Sequence, residues 1–294
     1  MTTYLKTFNL MANKMILKKT TLSRLSLIKY YFEMGYEQSY QSSPSCYFSI
    51  LTFHDAAELF LILGAETKDA AVRDKMWILD YWNVINQKLG ERKLSLNASF
   101  KKFNRARNNF KHYGITPSNE EIESFRTTIR NFFDENTPII FGIEFDEISL
   151  IDLVQINVVK EILVEVQNLK KRMKFRKSLI RLAKAYWFLI NDFKSKYPYI
   201  FSDYIDVDVP KSIERQLLYI YERLGIILLG HDYRKYIKFK VLTQVYVTPS
   251  LDSFLGKVDK RIYTKEQVDF CVNFVIDCTL KIQSFIDTYK SVNF

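Results

Sequence analysis

Apolar residues recur at helical spacing over most of the chain, and this pattern predicts long helices. From Leu22 the apolar positions repeat every three or four residues up to about Gly35. Two further apolar stretches predict helices at Phe53–Leu63 and Lys68–Leu89. Glycine commonly ends a helix because it accepts a left-handed backbone, so the predicted ends are at Gly35, Gly64 and Gly90.

A fourth and a fifth helix complete the first half of the pattern. The fourth can be capped by Asn97 or Ser95, and Gly114 is expected to end it. Ser118–Glu121 has the form of a capping box, in which serine and glutamate side chains satisfy free backbone N–H groups. It therefore predicts a fifth helix over about 119–134, and five helices in so short a span indicate a bundle.

The pattern divides the rest of the chain into a connector and a second bundle. The first bundle covers residues 20–136, and an apolar run at 137–149 predicts an extended connector. Helical periodicity resumes at residue 150, so 150–294 predicts a second bundle, with Pro198 and Pro210 bracketing a loop. Its helices are expected at about 150–193, 211–229, 231–244 and 265–290. The predicted fold class is all-α with two helical bundles, preceded by a segment at 1–19 that has no period and can be disordered.

Composition agrees with this fold class. The chain has 294 residues, of which only 8 are glycine and 6 are proline, so tight hairpins should be few. Cys271 and Cys278 are seven residues apart and would share one helix face, which favours core packing. With Cys46 they form neither a disulfide framework nor a paired zinc motif. No metal or other cofactor is expected.

Charge and hydropathy bear on partners and location. The formal net charge is +10, which makes a polyanion such as RNA a plausible partner. No apolar run approaches the 18 or so residues that a bilayer requires, and the N-terminus lacks a signal-peptide pattern. The expectation is a cytoplasmic protein with no membrane segment.

The richest chemistry lies at the end of the fourth helix, in Arg107, Asn108 and His112. Arginine binds phosphate, histidine transfers protons near neutral pH, and asparagine can orient either one. The competing interpretation is a solvated basic helix face. Arg107 and His112 are separated by about 140° around an ideal helix, so one regular helix cannot aim both at the same phosphate. Local unwinding or a second chain related by a two-fold axis would remove this difficulty.

The Arg-x4-His motif, set in a helical bundle, resembles the HEPN superfamily of all-α ribonucleases. The apolar helix at Phe53–Leu61 adds a secondary likeness, and together the two cover residues 20–135. This resemblance implies a metal-independent endoribonuclease that acts as a homodimer, often as a toxin or antiviral-defence effector. It also implies RNA, for example tRNA, as substrate, and an antitoxin or regulatory protein as a further partner.

The mechanism that follows gives each residue of the motif a role. His112 would act as general acid or base on the RNA 2′-OH or the leaving 5′-oxygen. Arg107 would hold the scissile phosphate and offset its developing charge, and Asn108 would orient His112 or the phosphate. Expected products carry a 2′,3′-cyclic phosphate or a 3′-phosphate, and a 5′-hydroxyl.

Other charged residues are weaker candidates. Cations near the motif could form an RNA track or simply a solvated face; those assigned to substrate binding are Lys101, Lys102, Arg105 and Lys111. A second basic run is better explained by solvation and comprises Lys170, Lys171, Arg172, Lys174, Arg176, Lys177, Arg181 and Lys184. His54 and Glu58 share a helix face, and Glu58 could support Arg107, although a capping or surface role is the simpler explanation. His231 is expected to be an N-cap or surface residue.

Two rival functions remain open at this point. One is a catalytically inactive HEPN module that binds RNA, a nucleotide or a protein partner. The other is a DNA-binding regulator, which is disfavoured because no helix-turn-helix with a separate recognition helix is evident.

Overall fold

The computed structural model describes most of the chain and places it in the all-α class, as predicted. The described residues are 17–73, 76–197, 210, 213, 220, 223–243, 245–247, 254–256 and 261–292. The chain divides into two compact units, Met1–Asp152 and Leu153–Phe294. The predicted disordered segment at 1–19 lies outside the described residues except for its last three, where the first helix begins at Lys19.

The first unit is built around an apolar central helix. Its helices are α1 (Lys19–Gln38), α2 (Ser49–Thr67), α3 (Asp80–Lys88), α4 (Asn97–Tyr113) and α5 (Asn119–Phe141), with 3-10 turns at Ser45–Phe48, Phe145–Glu147 and Leu150–Leu153. α2 packs against each of the other four helices. Aromatic rings fill the contact between α2 and α5, where Phe60 meets Phe132 and Phe133 with ring centroids 5.4 and 5.2 Å apart. Burial of these apolar side chains makes the main contribution to the stability of the unit.

Two glycines that were expected to end helices lie inside them. Gly35 is within α1 and Gly64 is within α2. A Cβ at Gly35 would lie 2.8 Å from the ring of Phe53, and one at Gly64 would lie 2.9 Å from Ile140. These glycines permit close helix packing. Sequence periodicity alone does not distinguish a glycine with this role from one that ends a helix.

The third predicted helix, Lys68–Leu89, is wrong over its first half. α2 continues to Thr67, the backbone of Asp69 is left-handed with φ 48°, and α3 begins only at Asp80. The side chain of Trp77 is 77% exposed, whereas Tyr81 and Trp82 are buried. The described residues before α3 therefore reach the core without forming a helix, since Ile78 is buried while Trp77 beside it is exposed.

The boundary between α4 and α5 follows the predicted chemistry. Gly114 ends α4 with φ 66°, and the capping box of Ser118 and Glu121 is complete at the start of α5. The start of α4 differs, because Leu96 is the residue before the helix and no side chain caps it. The backbone N–H of Ser95 instead donates to the Asn136 side chain at 3.0 Å.

α5 also runs past its predicted end. The helix includes Pro138 and continues to Phe141, so the extended connector expected at 137–149 is wrong for its first five residues. Ile140 and Phe141 are fully buried, and this burial offsets the hydrogen bond that Pro138 cannot donate. The helix ends at Gly142, whose φ is 71°.

The second unit is also helical in its described part. It contains α6 (Asn157–Lys171), α7 (Phe175–Lys196), α8 (Tyr233–Thr243) and α9 (Lys265–Val292), with helical residues at 223–228. A short antiparallel pair, β1 (Val245–Val247) and β2 (Phe254–Gly256), was not predicted. The predicted loop between Pro198 and Pro210 and most of the helix at 211–229 lie outside the described residues.

Buried groups in the second unit settle two earlier expectations. Cys271 and Cys278 are buried on α9, as core packing requires. His231 was expected at the surface or as a cap, but it is 4% exposed and its Nδ1 lies 3.4 Å from the Tyr186 hydroxyl. Asp232 is the capping residue, because its carboxylate accepts from two backbone N–H groups at the start of α8.

The segment Ser45–Thr67 is long and apolar enough to cross a membrane, with a mean hydropathy of 1.4. The expectation that no apolar run reaches that length is therefore wrong on length and composition. In the structure 61% of its most apolar window is buried inside the protein. The same residues thus supply the core of the first unit.

Candidate active site at the end of helix α4

α4 is anchored on one side by aromatic packing. Phe100 and Phe103 are fully buried, and Phe100 lies against Trp82 and Phe132 with ring centroids 4.8 and 5.2 Å apart. At its end, backbone N–H groups of residues 114 and 115 return to carbonyls of residues 110 and 109. This left-handed termination holds the last turn, which carries His112, in regular geometry.

Arg107 is half-buried and lacks a carboxylate partner within the described part of the chain. Its Nη1 donates to Oδ1 of Asn108 at 3.0 Å. Its Nε is buried and has no hydrogen-bond partner among the described residues. The guanidinium therefore keeps its positive charge and part of its donor capacity available for an anion.

His112 is exposed and lies on a different face from Arg107. α4 remains a regular helix through Tyr113, so the separation of about 140° expected from five residues is retained. Local unwinding, one of the two ways to bring these side chains together, does not occur in this structure. Asn108 accepts a hydrogen bond from Arg107 and lies one helical turn before His112, on the same face as His112.

The cations assigned to substrate binding are all exposed: Lys101, Lys102, Arg105 and Lys111. None of the four forms an ion pair with another described residue. By helix geometry Lys101 and Arg105 share the face of His112, whereas Lys111 lies on the side of Arg107. The outer face therefore presents a row of unneutralised positive charge that ends at His112.

The side of α4 that carries Arg107 faces His54 of α2, a residue that sequence patterns left among the minor candidates. His54 is 3% exposed, and its Nε2 lies 3.0 Å from Oδ1 of Asn104. Burial is the main cause that lowers the pKa of His54 to about 4, and the nearby charges of Arg107 and Lys111 contribute to this value. The imidazole is therefore neutral at pH 7. The useful signal in the sequence was a histidine on a mostly apolar helix.

Glu58 contacts a different residue from the one proposed for it. It forms no ion pair with Arg107 among the described residues; its Oε2 lies 3.8 Å from Nδ1 of His54. Asp55 approaches the same nitrogen at 3.9 Å. Together, His54, Asp55 and Glu58 bring their possible ligand atoms within 4.8 Å of one another, a cluster that was not anticipated from the sequence.

The second basic run is partly neutralised. Lys170 pairs with Asp269, and Nε of Arg181 donates to Glu165 at 2.8 Å. These ion pairs lie within the second unit, and they favour a structural role for at least two of its cations. Exposed ion pairs of this kind contribute little to stability.

Comparison of the chain with family models, curated proteins and solved structures gives no match in any of the three. The geometry of the site is therefore the basis for assigning function.

Proposed function

We propose that this protein is a metal-independent endoribonuclease of the HEPN type, which cleaves RNA at a site composed of two chains. The observation that carries the proposal is Arg107, a half-buried arginine without a carboxylate partner in the described residues. Its Nη1 is oriented by Asn108, and a row of unpaired cations lies on the same helix. Binding of an RNA phosphate would satisfy the free charge and donor capacity of this guanidinium.

The reaction requires two functions that these residues supply. The 2′-hydroxyl attacks phosphorus while the bond to the 5′-oxygen breaks, and protons are removed from the first oxygen and delivered to the second. His112 is exposed and can take part in this transfer, and Arg107 can stabilise the charge on the phosphate oxygens. Because the two side chains lie on different faces of α4, His112 of one chain would act with Arg107 of another.

The same separation supports a second candidate, a HEPN-like module that binds RNA, a nucleotide or a protein partner without cleavage. In a single chain, Arg107 and His112 cannot both reach one phosphate on a regular helix. A monomer with this geometry would retain the cationic face and have no cleavage activity. Toxin or defence function and cytoplasmic location remain part of the first proposal.

The test is cleavage of structured RNAs, including tRNA, by purified protein in EDTA. We expect wild type to cleave and His112→Ala to lose activity by about 100-fold or more, since general acid–base catalysis contributes that much. Arg107→Lys should also lose activity, because lysine cannot reproduce a guanidinium contact. Arg172→Lys, at an exposed arginine of the second unit, is the matched control and should retain activity.

Two outcomes would decide against this function. Equal cleavage by wild type and His112→Ala would remove His112 from the mechanism. Retained RNA binding without cleavage of any substrate would establish the second candidate instead.

A further inference from the structure

His54, Asp55 and Glu58 lie together on the first half of α2 and present the ligand types that transition metals prefer. All three ligand atoms lie within 4.8 Å of one another. We propose that these side chains bind one divalent transition-metal ion, of which Zn²⁺ is the representative. The proposed RNA cleavage uses no metal, so this site is a separate property of the protein.

The state of His54 is the first argument for the site. Its Nδ1 is buried and has no hydrogen-bond partner among the described residues. Its Nε2 is within 3.0 Å of Oδ1 of Asn104, an acceptor, so the ring proton is on Nε2 and Nδ1 carries a lone pair. Histidines that bind metals are usually held in this way, with the second nitrogen donating to a fixed oxygen.

The carboxylates supply the second argument. A lone pair that faces two anionic oxygens at 3.8 and 3.9 Å is repelled by them, and a cation between the three would reverse this repulsion. Ligands of tetrahedral zinc are separated by about 3.3 Å, given bond lengths of about 2.0 Å. Small rotations of the two carboxylates would shorten their distances to Nδ1 of His54 to the separation that zinc ligands require. Asp55 and Glu58 are 55% and 39% exposed, which leaves an entry path and a coordination position for water.

Nearby cations oppose metal binding, so the proposal predicts two opposite effects of mutation on metal affinity. Arg107 and Lys111 act electrostatically on His54. Removing one of these charges should tighten metal binding, whereas removing a ligand should weaken it. Asp55 and Glu58 offset the two cations, and the cluster is close to neutral before an ion binds.

The experiment is a calorimetric titration of the full chain with Zn²⁺, without RNA or phosphate. We expect one equivalent to bind wild type, and Glu58→Gln and Asp55→Asn each to weaken binding by roughly tenfold or more, the range seen even for loss of outer-sphere partners. Glu123→Gln removes an exposed carboxylate from α5 and should have no effect. Lys111→Gln should bind Zn²⁺ more tightly than wild type.

Circular dichroism establishes that each variant remains helical, and His112→Ala must retain the equivalent if His112 is not the ligand. Absence of Zn²⁺ binding by wild type would overturn the proposal. Wild-type affinity in both Glu58→Gln and Asp55→Asn would overturn it as well. Since the titration contains no RNA, its result is independent of whether the protein is a ribonuclease.

Discussion

At the residue scale, the contact between α2 and α4 contains polar atoms whose bonding capacity is unused. Within the described residues the buried side-chain atoms without hydrogen-bond partners belong to His54, Trp82, Arg107 and His231. Arg107 lies close enough to His54 for its positive charge to lower the pKa of the imidazole. Unsatisfied buried groups cost free energy, so His54 and Arg107 do not contribute their full hydrogen-bonding capacity to the stability of this helix contact.

His54 should make the first unit sensitive to mild acid. Its pKa is lowered to about 4 in the folded chain from an ordinary value of 6.5. Between pH 6.5 and 4 the unfolded chain binds a proton on His54 that the folded chain does not bind. The free energy of unfolding is therefore highest above pH 6.5 and decreases as the pH falls toward 4.

Urea unfolding at pH 7 and pH 5 measures this effect. Wild type should lose roughly 2 kcal/mol more of its free energy of unfolding than His54→Gln over this interval, at 1.36 kcal/mol per pKa unit. His231 has a similarly lowered pKa and contributes equally to both proteins. The same pH slope in both would show that His54 titrates normally in the folded state.

The residues of the motif could be predicted from the sequence, but the residues that pack around the motif could not. Arg107, Asn108 and His112 were identified from residue types and spacing, and their placement at the end of a helix is confirmed. The neighbourhood of His54 depends on α2 packing against α4, about fifty residues later in the chain. Periodicity within one helix carries no information on which buried face meets which partner.

At the element scale, close approach between helices is set by the glycines within them. The ring of Phe53 occupies the space where a Cβ of Gly35 would lie, and Phe53 is itself 1% exposed. This contact joins α1 to α2. Gly35 lies in regular helical backbone that any residue can adopt. Glycine is therefore required at this position by packing and not by backbone conformation.

Gly35→Ala should destabilise the protein although alanine favours helices. The gain in helix propensity is up to about 1 kcal/mol, whereas forcing a methyl group against a buried ring costs about 1–3 kcal/mol. Thermal unfolding should show a lower Tm for Gly35→Ala. Gly64→Ala is the matched control with a smaller loss, because the nearest atom is the movable end of Ile140. A higher Tm for Gly35→Ala would refute this account of the contact.

Helix existence was predictable here, and several helix limits were not. The capping box at Ser118 and the left-handed end at Gly114 are local chemistry, and both were predicted correctly. From the same local rules Gly64 was taken as a helix end, and the first bundle was expected to stop at residue 136. Tertiary burial of Ile140 and its neighbours overrides those rules, and one sequence does not report that burial.

At the scale of the whole molecule, the proposed function depends on association of two chains. The regular geometry of α4 keeps Arg107 and His112 on separate faces, so one chain would supply half of the proposed site. A two-fold dimer would place each half beside its complement and make two equivalent sites.

Mixing two inactive variants tests this arrangement. Arg107→Ala and His112→Ala should each be inactive alone, and co-refolding equal amounts should restore about a quarter of wild-type activity. Half of the dimers formed at random are mixed, and one of the two sites in each is intact. Mixing without exchange of chains is the control. If co-refolded protein stays inactive while wild type is active, Arg107 and His112 act within a single chain.

The central position of α2 has a consequence for how the protein is made. A nascent chain that has left the ribosome as far as Thr67 carries this apolar helix before α3, α4 and α5 have been synthesised. The apolar surface of α2 is fully buried only after Phe132 and Phe133 have been synthesised as part of α5. During that interval α1 can cover one side of α2, but the faces that meet α3, α4 and α5 remain exposed to water, and the chain is then most prone to aggregate and to require a chaperone.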